Sequence, residues 1–132
     1  MSEQKERSSS FKKILIIDDE EIFLKPLTKF LTLMKYQVNI ATDGSYGIDL
    51  QQSIKFDLII TDLKMKNLNG IEVINFLSEK YPETKIIVVS AYVNSEEYSQ
   101  MIEQIKNNKY VKSVFQKPVV FDELLNKIKE II

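Results

Sequence analysis

From residue 11 onward the chain alternates two hydrophobic patterns. Short runs rich in β-branched residues, KILIID at 13–18, QVNIA at 37–41, DLIIT at 57–61, KIIVVS at 85–90 and SVFQ at 113–116, have the length and composition of strands. Between and after them, apolar residues recur near i, i+3, i+4 and i+7 over residues 21–35, 45–53, 71–80, 95–107 and 121–132, which predicts amphipathic helices. The result is a (βα)5 pattern. Punctuation supports it: Asp43-Gly44 precedes the second helix, Tyr81-Pro82 follows the third, and Asn94 with Glu97 suits a capping box for the fourth. Pro26 falls inside the first helix, where it removes a backbone donor and predicts a local distortion.

The first, third and fourth strand runs are apolar continuously rather than alternately, the mark of strands covered on both faces. The fold class is therefore α/β, a doubly wound parallel sheet with helices on both faces. Right-handed crossovers favour the flavodoxin-like strand order 2-1-3-4-5. Ligands of such sheets bind beyond the carboxyl ends of the strands, where the winding reverses between the first and third. The first strand ends in Asp18-Asp19-Glu20, the third in Asp62, the fourth in Ser90 and the fifth in Lys117. Taken singly these are ordinary surface or turn residues; together they put carboxylates, a hydroxyl and an ammonium on one rim. Crowded carboxylates repel, and a divalent cation removes the conflict. Mg2+, or Mn2+ in its place, suits an oxygen set that leaves room for a phosphate oxygen. A carboxylate such as Asp62 can then attack phosphorus to give an acyl phosphate, while the cation and a lysine neutralise the equatorial oxygens.

Composition narrows the field further. At 132 residues and 44% hydrophobic content the chain has the size of one domain. A net charge of -1 supplies no overall field toward nucleic acid or an anionic membrane, so neither is expected as a partner. With no cysteine and no histidine, disulfides, Ser-His-Asp triads and imidazole-ligated metals are excluded. No apolar run approaches the roughly 20 residues of a membrane span, and the start, MSEQKERSSS, is polar, which gives a disordered tail over residues 1–10 and a cytoplasmic location as expectations.

These residues resemble the receiver domain of two-component response regulators, over residues 11–132. The resemblance is carried by Ile17-Asp18-Asp19-Glu20, by Asp57-Leu58-Ile59-Ile60-Thr61-Asp62 with Met65 and Gly70 at the family's spacing, by Val89-Ser90-Ala91 and by Lys117-Pro118. It implies that Asp62 is the phosphoacceptor, Asp19 the direct metal ligand, Asp18 a ligand largely through water, and the Lys64 backbone carbonyl the remaining protein ligand. It further implies that Ser90 is the switch hydroxyl, that Lys117 pairs with the phosphoryl group, and that the Lys117-Pro118 peptide is often cis. The domain is then a phosphoacceptor rather than an enzyme. Its donor would be a sensor histidine kinase, a histidine phosphotransfer protein or a small acyl phosphate. Its reader would be an output domain, an effector protein or a phosphorylation-dependent homodimer, through the face running from the fourth strand to the fifth helix.

Several positions depart from the family pattern. Met65-Lys66 stands where Met-Pro is usual, predicting a more mobile and more basic loop. Val114 occupies the place of the aromatic that swings inward, and Phe115 belongs to the opposite face of the strand, so no rotating ring is expected. The segment KNNKYVK at 106–112 lacks a small Gly-Ala turn; its lysines form either a partner surface or a solvated loop. Lys64 and Tyr92 rim the site and would hinder water attacking the acyl phosphate, which predicts a long-lived phosphoryl group. A haloacid-dehalogenase-type phosphatase would need a second Asp where Lys64 stands, and a pseudo-receiver would not need the intact acids and Lys117. The chain is then either a stand-alone regulator or a receiver excised from a longer protein, and the end, Lys129-Glu130-Ile131-Ile132, without a capping glycine, leans slightly toward the second.

Overall fold

The computed structural model describes residues 11–64 and 70–132. The chain runs β1 (Lys13–Ile17), α1 (Glu21–Leu33), β2 (Gln37–Ala41), α2 (Gly44–Ile54), β3 (Leu58–Thr61), α3 (Gly70–Lys80), β4 (Ile86–Ser90), α4 (Ser99–Asn107), β5 (Val111–Gln116) and α5 (Phe121–Ile131). The strands pair in parallel in the order β2-β1-β3-β4-β5, as the crossover rule requires.

Strand periodicity decides what each helix covers. Alternate side chains leave opposite faces of a strand, so Leu15, Ile17, Ile59, Ile86 and Val88 pack with Val73, Ile74 and Leu77 of α3 and Ile102 and Ile105 of α4. Leu50 and Ile54 of α2 close the same layer. Their neighbours Ile14, Ile16, Leu58, Ile60, Ile87 and Val89 face the other way, against Leu24, Leu27 and Leu31 of α1 and Leu124 and Ile128 of α5. Each such buried side chain is worth about 1.5–3 kcal/mol over its exposed state. Val114 packs in the first layer and Phe115 in the second, so the sidedness expected from the sequence holds.

Departures from the expected boundaries have local causes. Asp43 caps α2, its side chain accepting from Tyr46 N at 2.8 Å, whereas the Asn94–Glu97 capping box is not made. Asn94 N instead donates to Gln116 Oε1 at 3.1 Å, a 3₁₀ turn occupies Glu96–Tyr98, and the fourth helix starts at Ser99. The α1 helix runs unbroken through Pro26. The donor lost there would have served the carbonyl of Ile22, and that residue is 90% exposed, so water can take its place. At β5 the register passes from Ile86↔Val111 to Ile87↔Ser113, leaving Lys112 as an extra residue in a bulge. The expected tail, residues 1–10, and the Met65-Lys66 loop lie outside the described residues.

Two lysines hold left-handed backbone conformations just past helices, Lys35 (φ 74) after α1 and Lys55 (φ 61) after α2. An L-residue there costs about 1–2 kcal/mol, and glycine returns about 0.5–1 kcal/mol of any gain as unfolded-chain entropy. Lys35→Gly and Lys55→Gly are therefore each expected to stabilise the fold by about 0.5–1 kcal/mol in urea titrations with an unaltered slope. An unchanged or lowered midpoint would mean that the lysine side chains themselves hold these turns.

Candidate functional site

The ladders continue one residue beyond the strands at the carboxyl edge. Asp18 N donates to Ala41 O at 3.0 Å, Asp62 N to Ile17 O at 3.0 Å and Lys117 N to Ser90 O at 2.9 Å. Each of these residues is thus pinned through its own backbone to a neighbouring strand, which fixes where its side chain starts. Gly70 secures the other side of the Asp62 loop, its N–H donating to Leu63 O at 2.7 Å. A methyl group on Gly70 would overlap the carbonyl oxygen of Asp62 and lie 2.5 Å from Leu63 Cα, so the approach of α3 to the loop requires glycine.

The side chains converge on one ammonium. Lys117 Nζ donates to Asp18 Oδ2 at 2.8 Å, Glu20 Oε1 at 2.6 Å and Asp62 Oδ2 at 3.1 Å, and lies 4.4 Å from the centroid of the Phe23 ring. The remaining oxygens are held by backbone: Asp18 Oδ1 accepts from Glu20 N at 2.8 Å and Asp62 Oδ1 from Leu63 N at 2.6 Å. Asp18 and Asp62 are buried, Glu20 is exposed, and one oxygen of each lies within 4.8 Å of the others. Of the predicted residues, Asp18, Asp62 and Lys117 are brought together. Asp19 is exposed and stands outside the set of three converging carboxylates, in which Glu20 joins Asp18 and Asp62 instead. The Lys117–Pro118 peptide is cis, as the resemblance implies.

Ser90 is fully buried beside the cluster, its Oγ accepting from Tyr92 N at 3.2 Å. Lys64 is exposed, with Nζ 5.0 Å from the centroid of the Tyr92 ring, which in turn meets Tyr98 edge-on at 5.1 Å. Proximity to Tyr92 foremost, and then Tyr98, holds the Lys64 ammonium above its ordinary pKa range. Gln116 escapes a reading based on charged groups, yet it joins the Ser90 loop to the end of β5. Its amide accepts from Asn94 N and donates to Ala91 O at 2.9 Å and Lys117 O at 3.1 Å.

The charges do not balance. Burial, aided by the nearby Asp62 charge, pushes the Asp18 carboxyl up to about 6 even though Lys117 and the Glu20 N–H pull it back. Burial alone would lower Lys117, but hydrogen bonds to Asp18 and Glu20 and the charges of Asp62 and Asp18 hold it well above its ordinary value. Three acids against one permanent cation leave net negative charge in a largely buried place. An all-oxygen donor set with that excess fits a hard divalent cation such as Mg2+.

The family model for the response regulator receiver domain matches residues 14–129. Response regulator ArlR of Staphylococcus epidermidis is 32% identical over 120 residues, which are 90% of this chain and 52% of that protein. The chain thus spans about half the length of that curated relative. A CheY-like receiver domain from Methanospirillum hungatei superposes with a TM-score of 0.81 at 31% identity, covering 92% of this chain and 93% of the other. Response regulator TrrA from Thermotoga maritima, solved in complex with Mg2+-BeF, gives a TM-score of 0.79 at 28% identity over 92% and 100% of the two chains.

The raised Asp18 pKa has a definite sign. With about 6 in the folded state against 3.8 as its reference, the folded protein binds more protons in that window, so the Asp18 contribution to stability falls as pH rises through it. In chelator, Asp18→Asn is expected to gain on the wild type by about 1–3 kcal/mol between pH 4 and pH 7 in urea titrations. A pH-independent difference would locate the acid conflict elsewhere.

Proposed function

The chain belongs to the response regulator receiver domain family, and from that premise we propose that Asp62 accepts a phosphoryl group from a partner's phosphohistidine, within a domain spanning residues 11–132. The observation that carries this reading is the placement of Asp62: buried, its Oδ1 held by Leu63 N and its Oδ2 facing Lys117. In the transfer an Asp62 oxygen forms the new O–P bond as the donor's N–P bond breaks, and Lys117 offsets the charge on the phosphoryl oxygens. Ser90 would reach the phosphoryl group by donating its hydroxyl proton to a phosphoryl oxygen, giving up the bond its Oγ accepts from Tyr92 N as the side chain turns. Asp18, Asp62 and the Lys64 carbonyl, with Asp19 as the resemblance implies, would hold a Mg2+ ion, which when bound neutralises phosphoryl oxygen charge. The complex of TrrA with Mg2+-BeF supports that assignment.

The phosphorylated state biases a two-state surface toward an output domain, an effector or a second copy. Donor and reader follow from the class: a sensor histidine kinase or phosphotransfer protein upstream, and an effector downstream. No helix among the described residues is long and apolar enough to cross a membrane. The Lys64–Tyr92–Tyr98 stack links the loop after β3 to the loop after β4 at the rim, where it hinders water approaching in line with the acyl phosphate.

Intact-mass measurement after incubation with acetyl phosphate is expected to show one phosphoryl adduct that needs Mg2+ and is absent from Asp62→Asn. Failure of both acetyl phosphate and a beryllofluoride–Mg2+ mixture to alter the protein would favour a pseudo-receiver. In the wild type the adduct is expected to decay slowly, and Lys64→Asn with Tyr92→Glu to decay about tenfold faster, equivalent to ~1.4 kcal/mol of barrier. Equal decay rates would remove the aromatic stack from the mechanism.

A further inference from the structure

We propose that the amino-terminal edge of the sheet, opposite the phosphoacceptor site, is a docking surface for an extended acidic segment of a partner protein. Two adjoining clefts of about 550 and 620 Å³ run along this edge and share Pro82, Glu83, Thr84 and Lys85. Six lysines line them: Lys12, Lys55, Lys80, Lys85, Lys109 and Lys112. Among the described residues none of the six pairs with a carboxylate. Lys85 and Lys112 donate only to the backbone carbonyls of Ile131 and Lys109, and Lys109 lies over the Tyr110 ring. The clefts contain two acidic side chains, and one of them, Asp57, is engaged by Lys13 N at 2.8 Å. A chain of net charge -1 has thus gathered unpaired cations at one end.

Backbone irregularities sit at the same place. Lys55 holds a left-handed conformation and Lys112 is the extra residue of the β5 bulge, a device that re-aims side chains. The lysines follow the strand order from β1 through β3 and β4 to β5. With strands about 4.8 Å apart, that row extends about 14 Å, the length of roughly four or five residues of extended peptide at about 3.3 Å each. The chemistry favours carboxylates over nucleic acid. A nucleic acid is charged along its whole length and would also meet the acidic remainder of a chain whose net charge is -1, whereas a short carboxylate segment meets only the row.

The test is fluorescence anisotropy with a labelled peptide of about eight alternating Glu and Ser residues, long enough to cross the row. Saturable binding that weakens with salt is expected. Lys12→Glu/Lys80→Glu/Lys109→Glu should weaken it about tenfold or more, while Lys25→Glu/Lys127→Glu/Lys129→Glu, with the same change in net charge on α1 and α5, should have less than about a twofold effect. Should the first triple variant fail to fold by circular dichroism, Lys12→Gln and Lys109→Gln, both at exposed positions, supply the same comparison in smaller steps. Absence of saturable binding, equal weakening by both triple variants, or tighter binding of a single-stranded oligonucleotide of matched charge would each overturn the proposal. The readout does not involve Asp62, so its failure would leave the phosphoacceptor reading intact.

Discussion

One ammonium shared by three carboxylates holds the carboxyl edge together. Lys117 extends from the end of β5 to Asp18 at the end of β1, although β3 and β4 lie between them in the sheet. The ion cluster therefore spans four of the five strands, and the sheet order matters because it sets that distance. Taking ions out of water costs several kcal/mol each, so the arrangement persists only because each buried acid also receives a backbone N–H. Even so it is left negative. The demand for one further positive group is a property of the folded chain before any partner arrives.

Much of this was legible in the sequence because two simple periods decide it. Continuous apolar runs required a sheet covered on both faces, and alternation within those runs placed Leu15 and Ile16, or Val114 and Phe115, on opposite sides. The strand ends then identified Asp18, Asp62, Ser90 and Lys117. Other features depend on tertiary context. Glu20 stands last in a run of three acids, and its side chain reaches Lys117 while it serves as the residue preceding α1. Phe23, an apolar position of α1, sets its ring 4.4 Å from the Lys117 ammonium, a contact that no sequence pattern announces. Asn94 was an apt cap by type, but its backbone was taken by Gln116. The bulge at Lys112 left no trace in composition.

Net charge conceals the most polarised aspect of the molecule. Acids gather where the strands end and lysines where they begin, an asymmetry hidden within a chain total of 18 basic against 19 acidic residues. A single number for the chain excluded a global attraction to polyanions. It said nothing about either end separately, where the local field is set by groups within about 10 Å.

Gln116 carries a consequence for signalling sensitivity. Its one amide makes three hydrogen bonds, to Asn94 N, Ala91 O and Lys117 O, and so clamps the loop that begins at Ser90. Any rearrangement of that loop breaks some of these bonds, at about 1 kcal/mol net for each. The amide touches none of the acids that surround Lys117. On the proposed reading, part of the free energy of phosphorylation would go into releasing this clamp and only the rest would reach the output.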